Sequence, residues 1–261
     1  MTQTKQRPLA GRIALVTGAT RTVGIGAAIC EALARDGADI AFTHFIAYDQ
    51  EMYGADGGDP ARIEATLRDY GVRVASIPID LSAADAATRL LDEVAAQLGP
   101  ATILVNNAAY STRDGYEQLD AETLDRHYAV NVRTTALLAV HVVRRFQGDG
   151  GGRIINLISG QNMGPMPEEL AYAASKGAIA AFTRTLAAEV MSLGITVNAV
   201  NPGVTDTGWI TPELRAELLP RMPRGRFGEP ADAARLVAWL ASDDAAWVTG
   251  QLLNSTGGWP L

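Results

Sequence analysis

Arg12-Ile13-Ala14-Leu15-Val16-Thr17 runs without a break into Gly18-Ala19-Thr20-Arg21-Thr22-Val23-Gly24-Ile25-Gly26, and a helical period follows at once, to Asp36. An apolar run of this length is a strand buried on both faces. Glycines let a backbone approach a pyrophosphate closely, and the free N–H groups at the following helix start favour its negative charge. A glycine loop in this place, between the first strand and first helix of a βαβ unit, is the entry of a dinucleotide fold.

Outward from that unit the alternation continues. Strands are expected at 12–17, 39–43, 73–78, 102–106, 153–158, 196–200 and 251–254, with helices at 26–36, 60–70, 83–98, 121–146, 172–193 and 231–241. Strands alternating with helices give an α/β, doubly wound, seven-stranded parallel sheet of Rossmann type, a three-layer single domain over residues 1–261. Residues 1–8 read as a flexible tail. Ser82 followed by Asp85 resembles a capping box, and Gly71, Gly99 and Gly194 fall where helices end. Two stretches are irregular: 45–59, read as an insertion, and 205–227, read as a substrate loop with a short helix near 212–219. Both leave carboxyl ends of strands, where ligand crevices form.

Composition narrows the function. Hydrophobic residues are 48% of 261, and 22 basic residues against 29 acidic ones give a charge of -7. With no basic stripe, nucleic-acid binding is disfavoured. No apolar stretch is long enough for a membrane span, the start resembles no signal peptide, and one cysteine, Cys30, builds neither a disulfide framework nor a cysteine metal site. The expectation is a cytoplasmic protein. His44, His127 and His141 share no ligand spacing, so no metal is expected.

The chemistry centres on Tyr172-Ala173-Ala174-Ser175-Lys176, because residues four apart share one side of a helix. An ammonium about 4 Å from a phenol would lower its pKa by about 3 units at an effective dielectric near 20, which predicts a proton donor usable near neutral pH. Ser159 ends the fifth strand thirteen residues before Tyr172, and Asn131 lies on the long helix 121–146.

In order and placement these pieces resemble the short-chain dehydrogenase/reductase family, and most nearly its β-ketoacyl carrier-protein reductase-like branch, from Leu9 to Thr256-Gly257-Gly258. The family loop TGxxxGxG has three residues between its first two glycines, whereas five stand here between Gly18 and Gly24. Other departures are Asn106-Asn107-Ala108-Ala109, where a glycine usually ends the motif, Thr256 in place of an acid, and the insertion after the second strand. The resemblance implies a catalytic tetrad of Asn131, Ser159, Tyr172 and Lys176. Tyr172 would protonate the forming alkoxide and Ser159 would hydrogen-bond the substrate oxygen. Lys176 would hold the nicotinamide ribose, and Asn131 a water that relays protons.

It also implies cofactor contacts from Gly18, Thr20, Arg21, Gly24, Ile25 and Gly26 in the loop and from His44 at the second strand end. Asp80 and Leu81 would border the adenine and Asn107, Ala108 and Ala109 would line the cofactor. Pro202, Gly203, Thr205 and Thr207 would meet the nicotinamide amide, alongside Tyr172 and Lys176. An acid at the end of the second strand would select NAD. Thr43-His44 stands there instead, and Arg21 is a residue that grips phosphate. NADP(H) is therefore favoured, with NAD(H) open because Asp49, Glu51 and Asp56 lie nearby.

The expected substrate is a small carbonyl or alcohol, such as a 3-oxoacyl thioester, a cyclic polyketide or a sugar-like alcohol, met by Gln161, Met163 and Trp209. Competing expectations are an NAD-dependent alcohol or sugar dehydrogenase, an enoyl reductase and a non-catalytic dinucleotide-binding regulator. A homo-oligomer, tetramer or dimer, is expected through helices 121–146 and 172–193, where Ala178, Ala180, Ala181, Ala187 and Ala188 would permit close approach.

Overall fold

In β1 (Ile13–Val16) Ala14 and Val16 enter one apolar layer and Leu15 the other. β4 (Ile103–Asn106) divides in the same way, Ile103 and Val105 against Leu104. Successive side chains of a strand alternate between faces, so these unbroken apolar runs fit only a sheet covered on both sides. The computed structural model describes residues 7–54, 57–147 and 151–259.

The remaining strands are β2 (Asp39–His44), β3 (Val74–Pro78), β5 (Arg153–Leu157), β6 (Thr196–Asn201) and β7 (Leu252–Asn254). They form one seven-stranded sheet in the order β3-β2-β1-β4-β5-β6-β7, parallel throughout. The order reverses between β1 and β4, which opens a crevice outside the carboxyl ends of those two strands. One apolar layer packs α1 (Ile25–Arg35), α3 (Asp59–Arg68) and α9 (Pro230–Ala241) on the sheet. The other packs α4 (Ala86–Gln97), α6 (Thr135–Arg145) and α7 (Leu170–Val190). Gly71, Gly99 and Gly194 take positive φ after their helices, as the sequence indicates.

Four expectations need correction or restriction. Within 45–59 lies a helix, α2 (Ile46–Tyr53), ended by Gly54 at φ +63°. Its sequence carries no apolar stripe, and Asp49 is its buried residue, so periodicity gives no sign of it. Ser82 does not cap a helix: its N–H donates to Asp80 Oδ1 at 2.8 Å, and α4 begins only at Ala86 with no side-chain cap from Asp85. The helix expected at 121–146 is continuous but changes pitch. α5 (Ala121–His127) passes through a π-helical turn, Tyr128–Thr134, before α6. Of the expected tail, only Arg7 and Pro8 are among the described residues, as Asp56 of the acidic loop is not. α8 (Pro212–Leu218) matches the short helix read in the substrate loop.

Candidate active site

The glycine loop is built by close contact as much as by flexibility. Gly18 has φ +74°, and a Cβ there would sit 2.6 Å from Ala108 Cα. A Cβ on Gly26 would fall 2.4 Å from the Gly18 carbonyl oxygen and 2.7 Å from Asn107 Nδ2. These two glycines therefore let α1 start hard against the ends of β1 and β4. Asn107 ties the junction, donating from Nδ2 to the carbonyls of Thr17 and Gly18 at 2.9 and 2.8 Å. Thr17 Oγ1 accepts from the N–H groups of Asn107 and Ala108, each at 3.1 Å. Gly24 is the N-cap of α1 and no side chain caps that end, which leaves its first N–H groups for an anion.

Beside the loop lies a cleft of about 470 Å³. Of the residues expected at the cofactor, Gly18, Thr20, Arg21, Gly24, Ile25, Gly26, His44, Asp80, Leu81, Asn107, Ala108, Ala109 and Thr207 line it. Pro202, Gly203, Thr205, Tyr172 and Lys176 do not. Gly203, at φ +70°, packs on Thr256, and Thr205 Oγ1 donates to the Pro202 carbonyl at 3.0 Å. The opposite wall is α2, which supplies Tyr48, Asp49, Glu51 and Tyr53. Ser111 N–H donates to Tyr48 Oη at 3.2 Å, so α2 bridges from the end of β2 to the segment after β4. Arg21 donates to Asp49 Oδ1 at 3.1 Å and to the Thr207 carbonyl at 2.9 Å, and lies 3.8 Å over the Tyr53 ring. These residues fit a dinucleotide. The uncapped helix start suits a pyrophosphate, and the end of β2 offers His44, with a buried Nδ1 that has no hydrogen-bond partner, in place of an acid.

At the other end of the crevice α7 presents its pair. Lys176 is buried, and its Nζ donates to the Leu157 carbonyl of β5 at 2.8 Å and lies 5.5 Å from the Tyr172 ring centre. Tyr172 is part-buried, and the Ser159 side chain lies near enough to its phenol to favour the ionised form. Asn131, held in the π-helical turn, donates from Nδ2 to the Tyr110 carbonyl at 2.9 Å and to Ser175 Oγ at 3.0 Å, and its Oδ1 accepts from Tyr110 N–H at 2.7 Å. Its amide is thus used in fastening α7 to the segment after β4, which leaves little of that side chain for the expected water. π-turns recur at functional sites, and here one aims Asn131 at α7.

The electrostatics differ from the expectation. Burial pushes the Tyr172 phenol up to about 12, reinforced by the charge of Glu169 and opposed by the polar Ser159 side chain, with the neighbouring Tyr53 adding a smaller push upward. Burial also takes Lys176 down to about 8. The ammonium is directed at a carbonyl, not at the phenol, and desolvation outweighs its pull. The predicted lowering of Tyr172 is absent, and the phenol stays protonated across the working pH range.

The expected substrate residues flank this group. Gln161 Oε1 accepts from Ser159 N–H at 3.0 Å while its Nε2 is buried without a partner. Met163 Sδ accepts from Asn201 Nδ2 at 3.1 Å, and Trp209, 40% exposed, donates to the Thr205 carbonyl at 2.8 Å. Sequence reading missed Asp114. Buried, it accepts from Ala171 N–H at 2.9 Å and so caps the start of α7 from a distant segment; no local spacing announces such a contact. Among the described residues no group of three or more His, Cys, Asp or Glu could hold a metal, and no helix is long and apolar enough to cross a membrane.

Comparison with known proteins agrees with this geometry. A family model described as enoyl-(acyl carrier protein) reductase matches residues 18–260. An uncharacterized oxidoreductase of Bacillus subtilis, YjdA, is 51% identical over 252 residues, covering 95% of this chain and 96% of its own. The 3-oxoacyl-[acyl-carrier-protein] reductase FabG of Pseudomonas aeruginosa is 39% identical over 260 residues, 96% and 98% of the two chains. A solved short-chain dehydrogenase/reductase from Serratia marcescens superposes with a TM-score of 0.87 at 34% identity, covering 97% of this chain and 100% of that one. A blue fluorescent protein from a metagenomic library, solved in complex with NADPH, gives 0.87 at 33% identity over the same shares. With its parallel sheet, glycine cradle and Ser159, Tyr172 and Lys176 gathered at the carboxyl ends of the strands, the chain belongs to the short-chain dehydrogenase/reductase family of NAD(P)-dependent oxidoreductases.

Proposed function

We propose that the chain is an NADP(H)-dependent reductase interconverting a ketone and a secondary alcohol, with a 3-oxoacyl or polyketide-like carbonyl as its substrate. The observation that carries this is the pairing of Tyr172, kept protonated by burial, with Lys176, whose Nζ lies 5.5 Å from its ring centre. A bound nicotinamide supplies or accepts the hydride. Reduction then needs a proton at the substrate oxygen, and Tyr172 gives its own, because a secondary alkoxide is a far stronger base than a phenolate. Ser159 hydrogen-bonds that oxygen as charge develops. Lys176, anchored on Leu157, holds the nicotinamide ribose, and Asn131 keeps α7 in register with the segment after β4. The glycine loop with Thr20, Ile25 and His44, together with Asp80, Leu81 and the turn 107–109, holds the adenosine and pyrophosphate, and the 202–207 stretch meets the nicotinamide amide.

The lack of an acid at His44 and the NADPH bound by one structural neighbour support NADP(H), and the Pseudomonas relative supports a 3-oxoacyl substrate. Gln161, Met163 and Trp209, with the loop 205–227, form the substrate wall. An NAD-dependent alcohol dehydrogenase is the second reading, favoured by Asp49 holding Arg21. The four-residue interval from Tyr172 to Lys176 speaks against enoyl reduction, and the full tetrad against a non-catalytic regulator. Exposed Ala181 and Ala188 on α7, with Tyr128 at the π-turn, suit a homo-oligomeric contact, whereas Ala180 and Ala187 are buried. A single buried Cys30 suits a cytoplasmic setting.

The test is initial rates with NADPH and NADH across 3-oxoacyl thioesters, cyclic ketones and sugar-like carbonyls. Turnover with at least one ketone, faster with NADPH, is expected. Binding of both cofactors without turnover of any carbonyl would contradict it.

A further inference from the structure

Arg21 does not reach freely into the cleft. Its Nε is taken by Asp49, one Nη1 hydrogen by the Thr207 carbonyl, and its face by the Tyr53 ring. The ion pair is shielded, with the Arg21 and Asp49 side chains 15% and 13% exposed. The same cleft wall contains His44 at the end of β2, with its buried and unpartnered Nδ1.

A guanidinium offers five N–H donors in a fixed fork and grips a phosphate through two of them at once. Two of these donors are already committed here, one to a carboxylate. A phosphate arriving on the adenosine ribose meets an arginine whose charge is already compensated, beside an acid that repels it. An unphosphorylated ribose meets neither difficulty, and its hydroxyls find a carboxylate acceptor on the same wall.

Resting on the dinucleotide-binding reading above, we propose that Asp49 sets the choice between a 2′-phosphorylated and an unphosphorylated adenosine ribose by competing with the phosphate for Arg21. The helix α2, inserted after β2, thereby carries an acid that restrains Arg21's grip on the phosphate, at a place where the strand end itself has none. Asp49 is a specificity-determining residue that acts through Arg21.

The experiment is calorimetric binding of 2′,5′-ADP and 5′-ADP to the parent chain, Asp49→Asn, Arg21→Ala and the double variant, with kcat/KM for NADPH and NADH measured alongside. Asp49→Asn keeps the shape and one acceptor while removing the charge. It is expected to tighten 2′,5′-ADP by about tenfold or more, the size of one charge-assisted hydrogen bond, and to move 5′-ADP far less. Arg21→Ala is expected to weaken 2′,5′-ADP and, in the double variant, to abolish the gain from Asp49→Asn. Equal changes for both fragments, or a gain that survives without Arg21, would overturn the proposal. Asp49→Ser serves the same comparison if the Asn variant fails to fold. A parent chain that prefers NADH while Asp49→Asn still moves the ratio supports Asp49's role and overturns only the NADP(H) preference. Binding of neither fragment overturns both.

Discussion

Tyr172→Phe is expected to lower kcat for ketone reduction by about 10²- to 10⁴-fold, the range for removal of a general acid, while NADPH binding stays close to the parent's. The substitution takes away one oxygen and leaves the ring packed, so α7 keeps its place. The forming alkoxide loses its proton donor. Because burial holds Tyr172 up to about 12, the acid is loaded at every pH at which the protein is assayed. Its titration therefore sets no limb in the reductive direction below that value. Stopped-flow rates with fluorescence titration of NADPH separate the two effects; unchanged rates would remove Tyr172 from the mechanism.

Lys176→Met is expected to cost about 10²-fold in kcat with little loss of stability at neutral pH. The folded chain holds this ammonium near 8, against an ordinary lysine value of 10.5, so between those values the unfolded chain binds more protons. Stability of the parent should therefore rise as pH increases from about 8 to 10.5 and be flat below 8. The burial penalty present below pH 8 is about 3 kcal/mol, and methionine removes it. Against this, the Leu157 carbonyl loses its donor, at a cost of about 1–3 kcal/mol. The two roughly offset. Denaturant titrations at pH 7 and pH 10 should show a pH-dependent parent and a flatter variant. The parent's reductive kcat/KM should also fall as pH rises through about 8, where the ammonium discharges, and the variant should lack that limb. A variant with the parent's pH profile would contradict the assignment of the limb to Lys176.

What the sequence reveals and what it hides follow one physical division. Arg12 to Gly26 announces its strand, loop and helix because local rules govern all three: alternating burial, glycine where backbones crowd, an open helix start. The Tyr172–Lys176 pair is legible because a helix fixes the meaning of a four-residue interval. α2 is not legible, since Ile46–Tyr53 buries an aspartate against Arg21 instead of an apolar stripe, and a pattern search looks for the stripe. The ionisation of Tyr172 was misjudged for a related reason: spacing gives the ammonium's proximity but not the burial that overrides it, nor the turn of Nζ toward Leu157. Asn131 was found by its place in a motif, yet its partners Tyr110 and Ser175 depend on a π-turn, a change of hydrogen-bond register that side-chain patterning does not encode. Asp114 reaches α7 from 57 residues away, a distance at which only the fold makes neighbours.

The central claim, hydride exchange between a nicotinamide and a carbonyl carbon with the proton coming from Tyr172, is tested most directly by isotope transfer. NADPH carrying deuterium at both C4 positions of the nicotinamide is reacted with a ketone that the rate survey identifies, and the product is read by NMR. The account predicts one deuterium on the carbinol carbon, delivered to a single face, and none detectable in the same time with Tyr172→Phe. A carbinol carbon bearing only hydrogen, or deuterium arriving instead at a carbon–carbon double bond, would contradict it.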